Sequence, residues 1–253
     1  MEKIFIENKH GEKIAILVNE VKEPVGLVFI AHGQGDSKNS LHIEKIAETF
    51  LVNNYNVVRF DARNSFGESF GKFEDATVTG YLEDLEDVIS WAKKQDFFIQ
   101  PFIICGHSIG SMTAALYAEE HPLEIKALAP FSVVVNAELS KEQYTPEELQ
   151  NWKDSGWLVE DWGQTKIHLK YAYWESKMKY NLLSAVDKLT MPVLLVVGEN
   201  DRCTPSRHQE ILFDHLPGKK EFHIIKDSPH TFRSEKNLQE LQTILDHWLK
   251  TLN

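Results

Sequence analysis

The sequence predicts an α/β fold: a mostly parallel, eight-stranded sheet with helices on both faces and a small insertion after the sixth strand. Three observations carry this. Apolar runs of strand length alternate with amphipathic helical stretches along the chain, the pattern of a sheet buried between helices. The later strands are β-branched and nearly all apolar, as strands covered on both faces require. The alternation breaks once, over about sixty residues between Pro130 and Pro192, where one crossover helix needs roughly a dozen or two.

Taken in order, Lys3–Glu7 and Lys13–Asn19 flank a His10-Gly11 turn and predict an antiparallel hairpin at one sheet edge. Six further strands are expected at Gly26–Ala31, Asn56–Phe60, Phe102–Cys105, Ile125–Pro130, Pro192–Gly198 and Glu221–Ile225. Between them, Leu41–Val52 places Ile43, Ile46, Ala47 and Phe50 on one helical face. Tyr81–Lys94 sets Leu82, Leu85, Val88 and Ile89 against a charged face of Glu83, Asp84, Glu86 and Asp87. Ser108–Glu120 is small and apolar, as for a helix near the sheet centre, and Ser206–Leu216 and Glu235–Leu252 complete the helices. The boundaries that follow are a core of residues 1–131 and 186–253 and an insertion of residues 132–185. That insertion holds Trp152, Trp157, Trp162 and Trp174 with Tyr144, Tyr171, Tyr173 and Tyr180, and a hairpin of Trp157–Trp162 with Lys166–Trp174 around Gly163-Gln164 is expected in it. Its aromatics form either a subdomain's own core or the apolar lining of a cap over a site.

Composition narrows the function classes. With 27 Lys+Arg against 38 Asp+Glu, the 253 residues carry a formal charge of −11 and no basic cluster, which argues against nucleic acid as a partner. Apolar stretches such as Leu27–Ala31 and Val193–Val197 are strand-sized, far below the roughly 18 residues of a membrane span. The start, MEKIFIENKHGEKIAI, has no apolar signal core, so a cytoplasmic location is expected. Two cysteines, Cys105 and Cys203, make no disulfide framework, and the 11 histidines show no metal-ligand spacing. No metal and no cofactor are therefore expected. The oligomeric state stays open, a homodimer included.

The strongest local signal is Gly106-His107-Ser108-Ile109-Gly110, between the strand FIIC and the helix SMTAALYAEEH. A nucleophile on so sharp a strand-to-helix turn needs glycines two residues to either side, because a Cβ there would strike the neighbouring backbone. The helix that follows points its positive end at Ser108. A serine hydroxyl needs a base, itself oriented by a carboxylate. Asp201 stands in the loop after PVLLVVG, with Glu199 as a rival, and His230 in the loop after EFHII, with His223 as a rival inside the strand, where its side chain is expected to face a packing layer. Singly, each has a bland reading as a turn or loop residue; the order Ser108, Asp201, His230 on successive strand ends makes them a set. The oxyanion of the transition state needs donors, and the N–H groups of Ile109 and of Gln34 in Ala31-His32-Gly33-Gln34-Gly35 are the candidates, unless that loop is a tight connection only.

With AHGQG, RFDARNSFGESFGKFED, GHSIGS, PVLLVVGENDRCTP and SPHTF in order, the chain resembles the α/β-hydrolase superfamily over almost its whole length. Among its branches it is most similar to the bacterial cinnamoyl/feruloyl esterases and the monoacylglycerol-lipase-like serine esterases. The resemblance implies Ser108 as nucleophile, His230 as base and Asp201 as acid. It implies Gln34 and Ile109 as the oxyanion hole and Gly106 and Gly110 as the elbow glycines. One departure is Asn64, where the family usually has glycine; asparagine tolerates the left-handed backbone that position requires. The expected activity is cleavage of a small-molecule carboxylic ester with apolar or aromatic bulk. Peptidase, thioesterase and perhydrolase chemistry on the same residues, and a hydrophobic-ligand binder with weak turnover, are the alternatives.

Overall fold

The chain begins with β1 (Glu2–Glu7) and β2 (Lys13–Asn19), which pair antiparallel with Glu2 opposite Val18 and Glu7 opposite Lys13. Then follow β3 (Gly26–Ala31), α1 (Leu41–Val52), β4 (Tyr55–Phe60), α2 (Val78–Ala92), β5 (Phe102–His107), α3 (Ile109–Glu120) and β6 (Ile125–Phe131). After the insertion come β9 (Val193–Gly198), α7 (Ser206–His215), β10 (Lys220–Ile225) and α8 (Glu235–Lys250). This computed structural model describes residues 2–161 and 166–252.

The eight strands lie in the order β1-β2-β4-β3-β5-β6-β9-β10. β2 joins β4 antiparallel, and every pair from β4 to β10 is parallel. Alternate side chains of one strand enter opposite cores: Val28 and Ile30 of β3 pack with α1 and α8 (Ile43, Phe50, Leu241, Trp248), while Leu27 and Phe29 pack with α2 and α3 (Leu85, Val88, Met112). Burial on both faces is why β3, β4, β5 and β9 lack an exposed residue.

Two expectations need correcting here. β10 is an edge strand; Lys220 to His223 are half-buried and Ile224 is exposed, because only β9 flanks it. His223 therefore stands partly in solvent beside Glu221, at 3.5 Å, and not in a packing layer. Asp84 does not belong to a solvated face of α2. It is fully buried, with Arg63 Nε at 2.8 Å and the Arg63 N–H at 2.6 Å. Burial lifts its pKa to about 6 although the Arg63 charge pulls it down.

Between β6 and β9 lie α4 (Ala137–Ser140), α5 (Pro146–Ser155), β7 (Trp157–Asp161), β8 (Lys166–Lys170) and α6 (Ala172–Lys177). α5 starts with a Thr145/Glu148 capping box, Pro146 in its first turn, and ends at Gly156 with φ 79°. β7 and β8 form the expected antiparallel hairpin, Trp157 opposite Lys170. Its second arm is shorter than expected, because α6 begins at Ala172; the Gly163-Gln164 turn lies outside the described residues. The aromatics divide between the two readings. Trp152 and Trp174 are buried with ring centroids 5.9 Å apart and form a small core with Tyr171, and the Trp152 indole N–H donates to Leu169 O at 3.1 Å. Tyr144 does both: its ring lies 5.7 and 5.8 Å from those of Trp152 and Trp174, and with Tyr173 it lines a cavity.

Candidate active site

β5 runs into α3 through Ser108, whose backbone stands at φ 55°, ψ −118°. A non-glycine residue in this region is strained and is held there by its surroundings. Those surroundings are the two elbow glycines. A Cβ on Gly106 would lie 2.5 Å from the Gly110 carbonyl carbon, and one on Gly110 would overlap the carbonyl oxygens of Ala31 and His32. The turn thus locks α3 against the end of β3. Ser108 N–H donates to Phe131 O at 2.9 Å, fixing the turn to β6 as well.

The structure brings Asp201 and His230 together: His230 Nδ1 lies 2.7 Å from Asp201 Oδ2. Asp201 is set in its loop by the Cys203 and Thr204 N–H groups, which donate to Oδ1 at 2.9 and 2.8 Å. The Thr204 hydroxyl stands 2.9 Å from Oδ2 and 3.0 Å from Ser132 O, between two acceptors for its one proton. Burial of Asp201 opposes its ionisation, but the bonds from His230 and Thr204 outweigh it and hold the carboxyl well below its ordinary pKa. His230 is shifted below its usual 6.5, by burial first, with the Asp201 contact working against the shift. With Nδ1–H given to Asp201, Nε2 of neutral His230 carries the free lone pair. The rivals have other work: Glu199 accepts the Asp227 N–H at 2.9 Å, and His223 is on the edge strand.

Around the loop of residues 33–35, His32 Nδ1–H donates to Gly33 O at 2.7 Å and its Nε2 accepts the Ala62 N–H at 3.0 Å. Lys38, 1% exposed, reaches Asp61 at 2.6 Å and Glu68 at 2.7 Å and ties this loop to the 61–69 segment. Asn64 takes the left-handed backbone expected of it, φ 59°. Among the described residues, the N–H groups of Gln34 and Ile109 have no protein acceptor, which leaves both available to a ligand oxygen.

Ser108, His230 and Gln34 open onto one cavity of about 670 Å³, roofed by Tyr144, Leu158 and Tyr173 of the insertion. That volume suits a small-molecule ligand.

Spacing in the sequence gave no sign of one neighbouring group. Asp36, His42 and His107 converge so that their ligand atoms all lie within 4.8 Å of one another. Asp36 Oδ2 is 3.5 Å from His42 Nε2 and 3.7 Å from His107 Nδ1. Burial and the neighbouring His107 bring His42 down to about 4. His107 Nε2–H donates to His230 O at 2.9 Å, so the residue before Ser108 steadies the backbone of His230. Sequence reasoning also missed Thr204 and Lys177, since a hydroxyl and a lysine in a loop or short helix carry no pattern of their own.

Compared with known proteins, the chain is 26% identical over 232 residues to the uncharacterized protein YqkD of Bacillus subtilis, covering 89% of this chain and 72% of that one. Est1E from Butyrivibrio proteoclasticus, solved with ferulic acid bound, superposes with a TM-score of 0.85 at 25% identity, over 98% of both chains. Mouse alpha/beta hydrolase domain-containing protein 10 superposes with a TM-score of 0.83 at 18% identity, over the full length of both. The Hydrolase_4 family model, described as serine aminopeptidase, S33, matches residues 22–159, over half the chain. The parallel sheet, the strained serine between β5 and α3 and the family match agree: the chain is an α/β-hydrolase and belongs to the serine aminopeptidase, S33 family.

Proposed function

We propose that this hydrolase cleaves carboxylic esters of small to medium apolar or aromatic substrates through an acyl-enzyme on Ser108. The observation that supports this best is the Asp201–His230 pair, 2.7 Å apart, with His230 on the same cavity as a serine held at φ 55°. His230 Nε2 takes the Ser108 hydroxyl proton as Oγ attacks the ester carbonyl. The N–H groups of Ile109 and Gln34 receive the oxyanion. The same imidazole then protonates the leaving alcohol, and water, activated by His230, frees Ser108 of the acyl group. Residues 132–185 act as the cap, with Tyr144, Tyr173 and Leu158 giving the acyl or alcohol group an apolar wall. The ferulic acid bound in Est1E supports an aromatic ester as one substrate class.

The family description favours a second reading, an amide or peptide substrate on the same machinery. Labelling with a fluorophosphonate tests the nucleophile: the adduct is expected on Ser108 and absent from Ser108→Ala, and an unlabelled folded protein overturns the assignment. Matched ester, thioester and anilide substrates then separate the chemistries, with the ester expected to be turned over fastest. Among the described residues no helix is long and apolar enough to cross a membrane.

A further inference from the structure

Lys177 closes α6 and is 4% exposed, yet it lines the cavity that also holds Ser108 and His230. Its ammonium lies 5.0 Å from the Tyr173 ring centroid and 5.3 Å from that of Trp174. Ring faces attract a cation but accept none of its three N–H protons in a normal hydrogen bond. Among the described residues no carboxylate, carbonyl or hydroxyl accepts from it; its contacts are the two ring faces. The other buried lysine of the core, Lys38, has two carboxylates. Its Nζ is not one of the fully buried atoms left without a partner, so it meets the cavity, and an acceptor for its protons has to come from what the cavity holds. Burial lowers its pKa to about 8, with the fields of Cys203 and Glu160 working the other way, so the group is still mainly cationic at neutral pH.

Two carboxylates, Asp36 and Glu160, share the cavity lining with this cation. Asp36, on the nucleophile side, is engaged with Ser40, whose hydroxyl donates to it at 2.9 Å, and with the two histidines. Glu160 sits on β7 of the insertion, and Arg233 adds a second positive charge at the exposed rim.

We infer that Lys177 receives a carboxylate carried by the substrate, so that the esters preferred at this site have an apolar body and a second, acidic end. This rests on the ester-hydrolase reading above and specifies its substrate class. The body lies against Tyr144, Leu158 and Tyr173, and the acidic end reaches α6.

The test compares aryl esters of ω-carboxyacyl chains of increasing length with their chain-matched neutral acyl esters, and, for the other side of the ester, carboxylate-bearing with neutral alcohols. It uses the wild type, Lys177→Met, Lys177→Gln and Lys177→Arg. Wild type is expected to favour the acidic member of a pair by about tenfold or more in kcat/KM, carried mainly by KM, the size of a lost charged hydrogen bond. That ratio should fall to about one in the Met and Gln variants and persist in the Arg variant. A wild type with no preference, or a Met or Gln variant that keeps it, overturns the inference. A preference for neutral acceptors such as hydroxyls overturns the carboxylate. Calorimetry with an ω-carboxy carboxylic acid on Ser108→Ala reads binding without turnover: binding weakened by Lys177→Met supports Lys177, and unchanged binding overturns it. Loss of every ester activity with that binding intact would overturn only the ester-hydrolase reading.

Discussion

Replacing Asp201 by asparagine separates an oriented base from a merely buried ion pair. The carboxylate takes three hydrogen bonds in the structure, from His230 Nδ1 at 2.7 Å and from the Cys203 and Thr204 N–H groups at 2.9 and 2.8 Å, and it competes with Ser132 O for the Thr204 hydroxyl proton at 2.9 Å. Because two of these donors are backbone N–H groups on one oxygen, an asparagine must place its carbonyl there and turn its NH₂ toward His230. That NH₂ donates to Nδ1, which forces the imidazole proton onto Nε2, the nitrogen that has to accept from Ser108. The same tautomer reversal in a serine protease removes about 10⁴ in rate, equal to roughly 5.4 kcal/mol of transition-state stabilisation, and a comparable loss in kcat is expected here. The assay is initial ester hydrolysis across pH, with circular dichroism and a melting curve on each variant. Asp201 is held below its usual carboxylate pKa. Its stabilisation is therefore present above the unfolded value near 3.8 and is lost as pH falls through the lower folded value. Near pH 7 Asp201→Asn should thus lower Tm modestly while preserving the fold. A folded Asp201→Asn protein that keeps a tenth or more of wild-type kcat at neutral pH would refute the reasoning.

Three further outcomes follow from the geometry. Ester kcat/KM should fall on acidification with an apparent pKa below 6.5, because burial lowers His230 and only its neutral form accepts the serine proton; an acid limb centred above pH 7 contradicts this. Gly110→Ala sets a methyl group into the Ala31 and His32 carbonyls, so it should abolish activity and lower Tm by several degrees even where the protein still folds, whereas an active, unshifted variant would dismiss the elbow packing. Arg63→Met strands the buried Asp84 carboxylate and should cost about 3–5 kcal/mol by denaturant titration at pH 7. Since burial already lifts Asp84 to about 6 and it rises further without Arg63, that loss should shrink as pH falls toward 6 and level off below it, where the carboxyl is protonated in both proteins, and Asp84→Leu in the same chain should recover much of it.

The reach of sequence reasoning shows in how each site residue announces itself. Gly106 and Gly110 flank Ser108 at fixed offsets between a strand and a helix, and Asp201 and His230 follow successive apolar strands, so local pattern plus chain order singles them out as candidates. Asp84 was misplaced because periodicity assigns a helix face without knowing what packs on it, and here Arg63 and Asn8 come from distant segments to bury it. His223 was misplaced because an apolar strand reads the same in the centre of a sheet as at its edge. The insertion aromatics could not be sorted at all until α5, β8 and α6 folded Trp152 against Trp174 and left Tyr144 and Tyr173 toward the cavity.

The sequence by itself determined the α/β architecture, the antiparallel edge hairpin, the strained serine turn and the placing of Ser108, Asp201 and His230 after successive strands, because each is written in local periodicity or in residue types tied to one backbone geometry. Only the tertiary structure decided which carboxylate faces His230, that Asp36, His42 and His107 meet beside Ser108, and that Lys177 lies on the cavity with no acceptor among the described residues. Those facts depend on contacts between residues far apart in the chain, and on desolvation, which a linear pattern does not encode.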